Sequence, residues 1–210
     1  EMTQRAMKGA SNNKILPLTS MLAIELSNNT LTLTTTDFSN YLEIKQDKVE
    51  GQDFYVVVQA DIFSKLIGKL TTEEVTLSVD SNVMTVKSNG QYKIELPVDE
   101  EGELVRFPEY RNIPQVPAYS VKLGTLKSIL ATNRASVAQD LTVPALTGYY
   151  IDANGVLTSD SFVACHNKVT ALTQAFMLPY QVVELFNVLT AEDVSVTVGT
   201  TDVVLATPDA

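Results

Sequence analysis

Few side chains in this sequence could carry covalent chemistry. The single cysteine, Cys165, adjoins the single histidine, His166. A thiolate and an imidazole could act as nucleophile and base, but adjacent residues on a strand point to opposite faces, which keeps the pair apart. One cysteine and one histidine are too few for a structural zinc site. A lone cysteine also excludes an internal disulfide and suits a reducing cytoplasm. Asp37 and Asp160 could be read as a carboxylate pair for metal-assisted hydrolysis. Each follows a hairpin-like run at a matching place (Thr36-Asp37, Ser159-Asp160), so a turn role fits both better. No Gly-rich phosphate loop is present. The expectation is no catalytic residue, no metal and no cofactor.

Charge points elsewhere. With 15 Lys and Arg against 25 Asp and Glu, the net charge is −10. Spread evenly, that would oppose nucleic-acid binding. The cations are not spread evenly. Arg5 and Lys8, Lys65 and Lys69, and Lys127 and Arg134 fall in three helical segments whose acids are Glu1 and Asp61. Acids gather instead at 99–103, 109 and 192–193. Basic helices on an acidic molecule suit loose, sequence-independent contact with phosphates. Ordinary solvated helix faces are the plain alternative.

The elements that must position these residues are mostly strands. Composition is that of a globular protein, 45% hydrophobic and 19% charged. No apolar run approaches the roughly 18–20 residues that span a bilayer, and the polar first residues, Glu1 to Arg5, do not resemble a signal peptide. Residues 21–26 and 31–36 alternate around a Ser27-Asn28-Asn29 turn. Further strands are expected near 40–48, 53–59, 74–80, 83–88 and 91–97. Residues 60–70 read as a helix with Ile62, Phe63, Leu66, Ile67 and Leu70 inward. Residues 1–10 read as another, with Met2, Ala6 and Met7 inward. Pro108, Pro114 and Pro117 then mark an extended connector. Beyond it come helices at 125–137 and 180–189 and strands at 145–153, 155–160, 162–170, 194–198 and 202–206.

This order repeats. Leu70-Thr71-Thr72-Glu73-Glu74-Val75-Thr76-Leu77-Ser78-Val79 aligns with Leu189-Thr190-Ala191-Glu192-Asp193-Val194-Ser195-Val196-Thr197-Val198, at an offset of 189 − 70 = 119. Thr36-Asp37 and Ser159-Asp160 match at 123, and Leu16-Pro17 and Val143-Pro144 at 127. The falling offset implies shorter loops in the second copy. A period this long means two copies of a whole α+β domain, not a solenoid unit. The expected domains are 1–115, with a truncated N-terminus, and an incomplete second at 118–210.

The motifs carry a resemblance. Leu16-Pro17, Leu31-Thr32-Leu33-Thr34-Thr35-Thr36-Asp37, Val58-Gln59-Ala60-Asp61-Ile62-Phe63 and Arg106-Phe107-Pro108-Glu109-Tyr110 resemble the first domain of the bacterial DNA polymerase III beta subunits, the beta sliding clamps. Thr142-Val143-Pro144-Ala145-Leu146-Thr147-Gly148 is similar to the family's Thr-Arg-Pro-Val-Leu-Thr-Gly run. Leu157-Thr158-Ser159-Asp160-Ser161 resembles its Ala-Thr-Asp-Gly/Ser-His-Arg-Leu motif. The resemblance implies tandem DNA-clamp domains, with antiparallel sheets outside and two helices per domain lining an inner face. It implies a third domain that this chain lacks, and a head-to-tail homodimeric ring, closed between first and third domains, around double-stranded DNA. It further implies a cytoplasmic, non-catalytic subunit of the holoenzyme, partnered by the polymerase III catalytic subunit and an ATP-driven clamp loader, away from any membrane.

Site residues follow from the same resemblance. DNA would be met by Arg5, Lys8, Lys14, Lys65, Lys69, Lys127, Arg134 and Gln139, with Asn13 standing where the family has arginine. Half of a groove for partner peptides would comprise Leu146, Ser159, Ser161, Phe162 and Val163. The family's His-Arg-Leu is Phe162-Val163-Ala164 here, so the groove loses charge. The subunit interface would use Ile62, Leu66, Tyr92 and Ile94, for which plain core positions are the alternative. A competing reading of the whole chain is a non-enzymatic β-rich structural or adhesion protein of two tandem domains.

Overall fold

The computed structural model of the chain describes residues 1–11, 15–108, 118–140, 142–169 and 174–210. Asn13, Lys14 and the expected domain boundary just beyond residue 115 lie outside them. The chain forms two compact units, residues 1–110 with Ala210 and residues 111–209.

The first unit begins with helix α1 (Met2–Ala6) and a four-stranded sheet, β1 (Met21–Ser27), β2 (Thr30–Thr36), β3 (Tyr41–Asp47) and β4 (Phe54–Gln59). Helix α2 (Ala60–Ile67) leaves β4 directly, and β5 (Thr76–Asp80), β6 (Val83–Lys87) and β7 (Gln91–Glu95) form a second sheet. The second unit holds β8 (Tyr119–Lys122), helix α3 (Leu123–Asn133), β9 (Gly148–Asp152), β10 (Gly155–Ser159), β11 (Ala164–Asn167) and β12 (Phe176–Pro179). Helix α4 (Tyr180–Leu185), β13 (Asp193–Val198) and β14 (Val203–Ala206) complete it. The sheets run β3-β2-β1-β4, β5-β6-β7, β11-β10-β9-β12 and β14-β13-β8. Their pairings are antiparallel, so the fold is α+β.

The two four-stranded sheets share order and register. Ala23 pairs with Thr34 and Val57; Tyr150, 127 positions on, pairs with Leu157 and Met177. The likeness reaches single hydrogen bonds. Thr35 Oγ1 donates to the Ala6 carbonyl at 2.7 Å, and Thr158 Oγ1 to the Asn133 carbonyl at 3.0 Å. Ser20 Oγ donates to Pro17 O and Thr147 Oγ1 to Pro144 O. The Ser11 amide reaches Thr19 O as the Ala138 amide reaches Leu146 O. Chance similarity of β-rich segments would not reproduce these bonds.

Much of the offset drop lies in strands rather than loops. Both first hairpins turn over two residues, Asn28-Asn29 and Ala153-Asn154, but β1 and β2 are seven residues long and β9 and β10 five. Removing two residues from each strand keeps every side chain on its face, because the period is two.

Packing refines two helices. Expected inward, Ile62 is 58% exposed while Phe63 is 3% exposed. Successive helical residues are about 100° apart, so one eight-residue helix cannot centre both on the sheet. In α1 the buried residues are Thr3 and Ala6, with Met2 and Met7 half-buried. Strands β8 and β12 were not expected. β8 buries one residue, Val121, against β13. β12 is apolar throughout, so its alternation shows only in burial, Phe176 and Leu178 in, Met177 and Pro179 out.

Candidate functional site

The cations expected to meet DNA, among the described residues, sit on helices or the turns that extend them, while Lys45, Lys87, Lys93 and Lys122 lie on strands. Lys8 and Lys69 are exposed, with no acidic partner among the described residues. Lys65 is exposed too, but its ammonium lies 2.7 Å from Asp61 one turn earlier. Such a solvated pair contributes little to stability and leaves the lysine available. Arg5 is half-buried. In the second unit Lys127 is half-buried and its Nζ donates to the Leu189 carbonyl at 3.1 Å, which closes the end of the α4 segment. Arg134 reaches Glu184 of α4 at 3.6 Å, both side chains mostly exposed. Gln139 is exposed in the loop beyond α3. Helix α4 itself carries no lysine or arginine. The first unit therefore offers the freer cations, and in the second both expected cations are engaged.

Asp37 and Asp160 hold turns. Asp37 Oδ1 accepts the amides of Ser39 and Asn40 at 2.9 and 2.6 Å; Asp160 Oδ1 accepts those of Phe162 and Val163 at 2.9 and 2.7 Å. Each turn puts its next residue at positive φ, Phe38 at 70° and Ser161 at 78°. Among the described residues, no group of three or more His, Cys, Asp or Glu side chains could hold a metal ion.

This Asx turn shapes the second candidate surface. It thrusts Phe162 into solvent at 94% exposure and Val163 at 59%. Ser161 beside them is exposed, while Ser159 and Leu146 are half-buried. Backbone amides, Val163 first and then Phe162, hold the Asp160 carboxyl below the ordinary carboxylate range. A depressed folded value means the turn's contribution is present above the unfolded pKa of about 4 and is lost as pH falls through the folded one. Hydrogen exchange at Phe162 and Val163 should therefore accelerate in strong acid. Asp160→Ala should give that fast exchange already at pH 5, and equal rates in the two proteins at pH 5 would refute the turn's role.

The third set is divided between a helix and an edge strand. Ile62 is exposed and Leu66 half-buried on α2. Tyr92 and Ile94 pair with Val86 and Met84, both fully buried, so they extend that apolar face to the sheet's edge strand. Tyr92 remains 37% exposed.

No described helix is long and apolar enough to cross a membrane. Residues 1–108 match the family model described as DNA polymerase III beta subunit, N-terminal domain. The beta sliding clamp of Staphylococcus epidermidis is 27% identical over 150 residues, 68% of this chain and 39% of that protein. That of Bacillus subtilis is 25% identical over 159 residues, 70% of this chain and 40% of that one. Among solved structures, the Streptococcus pneumoniae DNA polymerase III beta chain aligns with a TM-score of 0.86 at 16% identity, covering 99% of this chain and 59% of that one. A Bacillus subtilis sliding clamp gives 0.82 at 20% identity, again over 99% and 59%. Both structural likenesses speak for the fold. The chain spans about two-fifths of these curated relatives' length. With more than half of its 210 residues matched by that model, it belongs to the DNA polymerase III beta subunit family.

Proposed function

We propose that this chain is part of a processivity clamp, a non-catalytic cytoplasmic protein that encircles duplex DNA and tethers a replicative polymerase. One observation carries the reading: a chain of this family repeats one module, down to several equivalent hydrogen bonds, and places exposed cations on its helices despite a net charge of −10. In this reading a third module lies beyond the present sequence, and two subunits close a ring between first and third modules through Ile62, Leu66, Tyr92 and Ile94. Phe162 and Val163, with Leu146, Ser159 and Ser161, receive a peptide of the polymerase catalytic subunit or clamp loader. An apolar hairpin tip in place of a charged one favours a more apolar peptide. The tandem adhesion alternative has no comparable support.

Phosphate contact is tested by primer extension with the intact protein, its loader and its polymerase. Lys8→Glu with Lys69→Glu should cut long-product yield about tenfold near 0.15 M salt, with partial recovery at lower salt. Unchanged yield at both salt concentrations would contradict the role assigned to these helices.

A further inference from the structure

Asparagine is followed by glycine twice, at Asn89-Gly90 and Asn154-Gly155. That dipeptide carries latent chemistry. The glycine's main-chain nitrogen can reach the asparagine side-chain carbonyl carbon, and with no Cβ nothing on the glycine obstructs ring closure. Both asparagines are exposed, one between β6 and β7 and the other between β9 and β10. The fold treats the two pairs in opposite ways.

At Asn154 the reaction is restrained. The Gly155 amide, which would have to attack, donates to Asp152 Oδ1 at 3.2 Å. The Asn154 side chain is tied by its Nδ2 to Asp152 Oδ2 at 3.3 Å, and its main-chain amide to Asp152 Oδ1 at 2.7 Å. Gly155 itself is buried, with φ +136°. Taking a proton from an amide that already serves a carboxylate is opposed by that charge. At Asn89 these restraints are missing. Gly90 is exposed, and among the described residues nothing accepts a hydrogen bond from its amide. The electrophile is prepared as well. The Tyr92 hydroxyl donates at 3.2 Å to Asn89 Oδ1, the oxygen on which negative charge grows when the carbon is attacked. The same ring flanks the nucleophile: a Cβ on Gly90 would lie 3.1 Å from the Tyr92 hydroxyl oxygen. The leaving nitrogen, Asn89 Nδ2, keeps a long contact of 3.4 Å to Thr71 Oγ1.

We propose that Asn89 is a self-modification site, a deamidating asparagine whose carbonyl is activated by the Tyr92 hydroxyl. The Gly90 nitrogen bonds to Asn89 Cγ, the Cγ–Nδ2 bond breaks, and ammonia leaves with the proton that the Gly90 amide gives up. The product is a succinimide. Water, the sole co-reactant, then opens that ring at either carbonyl to give aspartate or isoaspartate, and nothing is oxidised or reduced. The result is a new carboxylate, and in the iso form a longer main chain, just ahead of β7, the edge strand that carries Tyr92. In the subunit contact proposed above that charge arrives beside Tyr92; the chemistry itself does not depend on that reading.

The test is peptide mapping by mass spectrometry of the intact protein after ageing in mildly alkaline heavy-oxygen water, which marks every ring opened in solution. Asn89 should convert at least about fivefold faster than Asn154 in the native protein, and the two rates should converge in denaturant, where neither restraint nor donor survives. Tyr92→Phe should slow conversion at Asn89 about threefold and leave Asn154 unchanged. A variant whose turn had merely loosened would convert faster, so slowing reports the lost hydroxyl. Equal native rates at the two sites, or conversion of Asn89 that is unchanged or faster in Tyr92→Phe, would overturn the proposal. Neither DNA nor a loader enters the measurement, so its outcome is separate from that of the clamp reading.

Discussion

Asn133→Ala is expected to destabilise the second unit by about 3 kcal/mol, from the usual cost of leaving several buried polar groups unpaired. Asn133 is fully buried at the end of α3. Its Nδ2 donates to Val156 O and Cys165 O, both at 3.1 Å, and lies 3.3 Å from Thr158 Oγ1, while its Oδ1 accepts the side-chain amide of Asn167. Ser136 Oγ, also buried, meets Thr158 Oγ1 at 2.6 Å. The end of α3, from which the turn carrying Arg134 continues, is thus fastened to the two strands that present the Phe162 turn. The first unit solves the same packing without this network. By the register, Ala6, Gly9, Leu42 and Ile44 occupy the places of Asn133, Ser136, Cys165 and Asn167. There the helix sits so close that a Cβ on Gly9 would lie 2.5 Å from Thr35 Oγ1 and 2.8 Å from Leu42 Cβ. A satisfied polar cluster and an apolar one can be about equally stable, whereas a half-emptied polar cluster is worse than either. The fourfold exchange N133A/S136G/C165L/N167I should therefore recover most of what the single change loses. Thermal unfolding followed by a second-unit probe reads both: a loss under about 0.5 kcal/mol for Asn133→Ala, or a fourfold variant worse than the single one, would contradict this account.

Gly155→Ala should be at least as damaging, by about 3 kcal/mol or more from backbone strain and steric overlap together. Gly155 has φ +136°, a conformation almost confined to glycine. A Cβ there would fall 2.0 Å from the Asn167 carbonyl oxygen and 2.9 Å from Lys168 Cα. Both obstacles are backbone, so no rotamer change relieves them, and β10 and β11 would have to part. Faster amide exchange along β11, with the first unit unchanged, is the expected signature. Native exchange rates in the variant would show that the close approach is not needed.

Much of the fold could be read from the sequence because the duplication states it twice. The aligned blocks at 70–79 and 189–198 fix helix end, turn and strand together, and β1, β2, β4 and β6 sit close to where alternation puts them. What escaped was short or carried its pattern in burial alone, as in β8 and β12. The turn role of Asp37 and Asp160 was readable because equivalent residues in two repeats had to do the same thing. Residue types showed where the cations lie, but not that Lys127 gives its ammonium to Leu189 or that Arg134 faces Glu184, since those contacts join segments far apart in sequence. Nor could types separate Ile62 from Phe63, both apolar and adjacent, one exposed and one buried. The buried Asn133 had no local signal. Its partners come from two strands 23 to 34 positions away.

The central claim, a ring that holds DNA by topology rather than by affinity, is tested most directly by loading the intact protein onto nicked circular DNA with its loader and ATP, then cutting the circle. The account predicts retention on the circle through gel filtration at high salt and release once the DNA is linear. Equal retention on linear DNA, or failure to load at all, would contradict it.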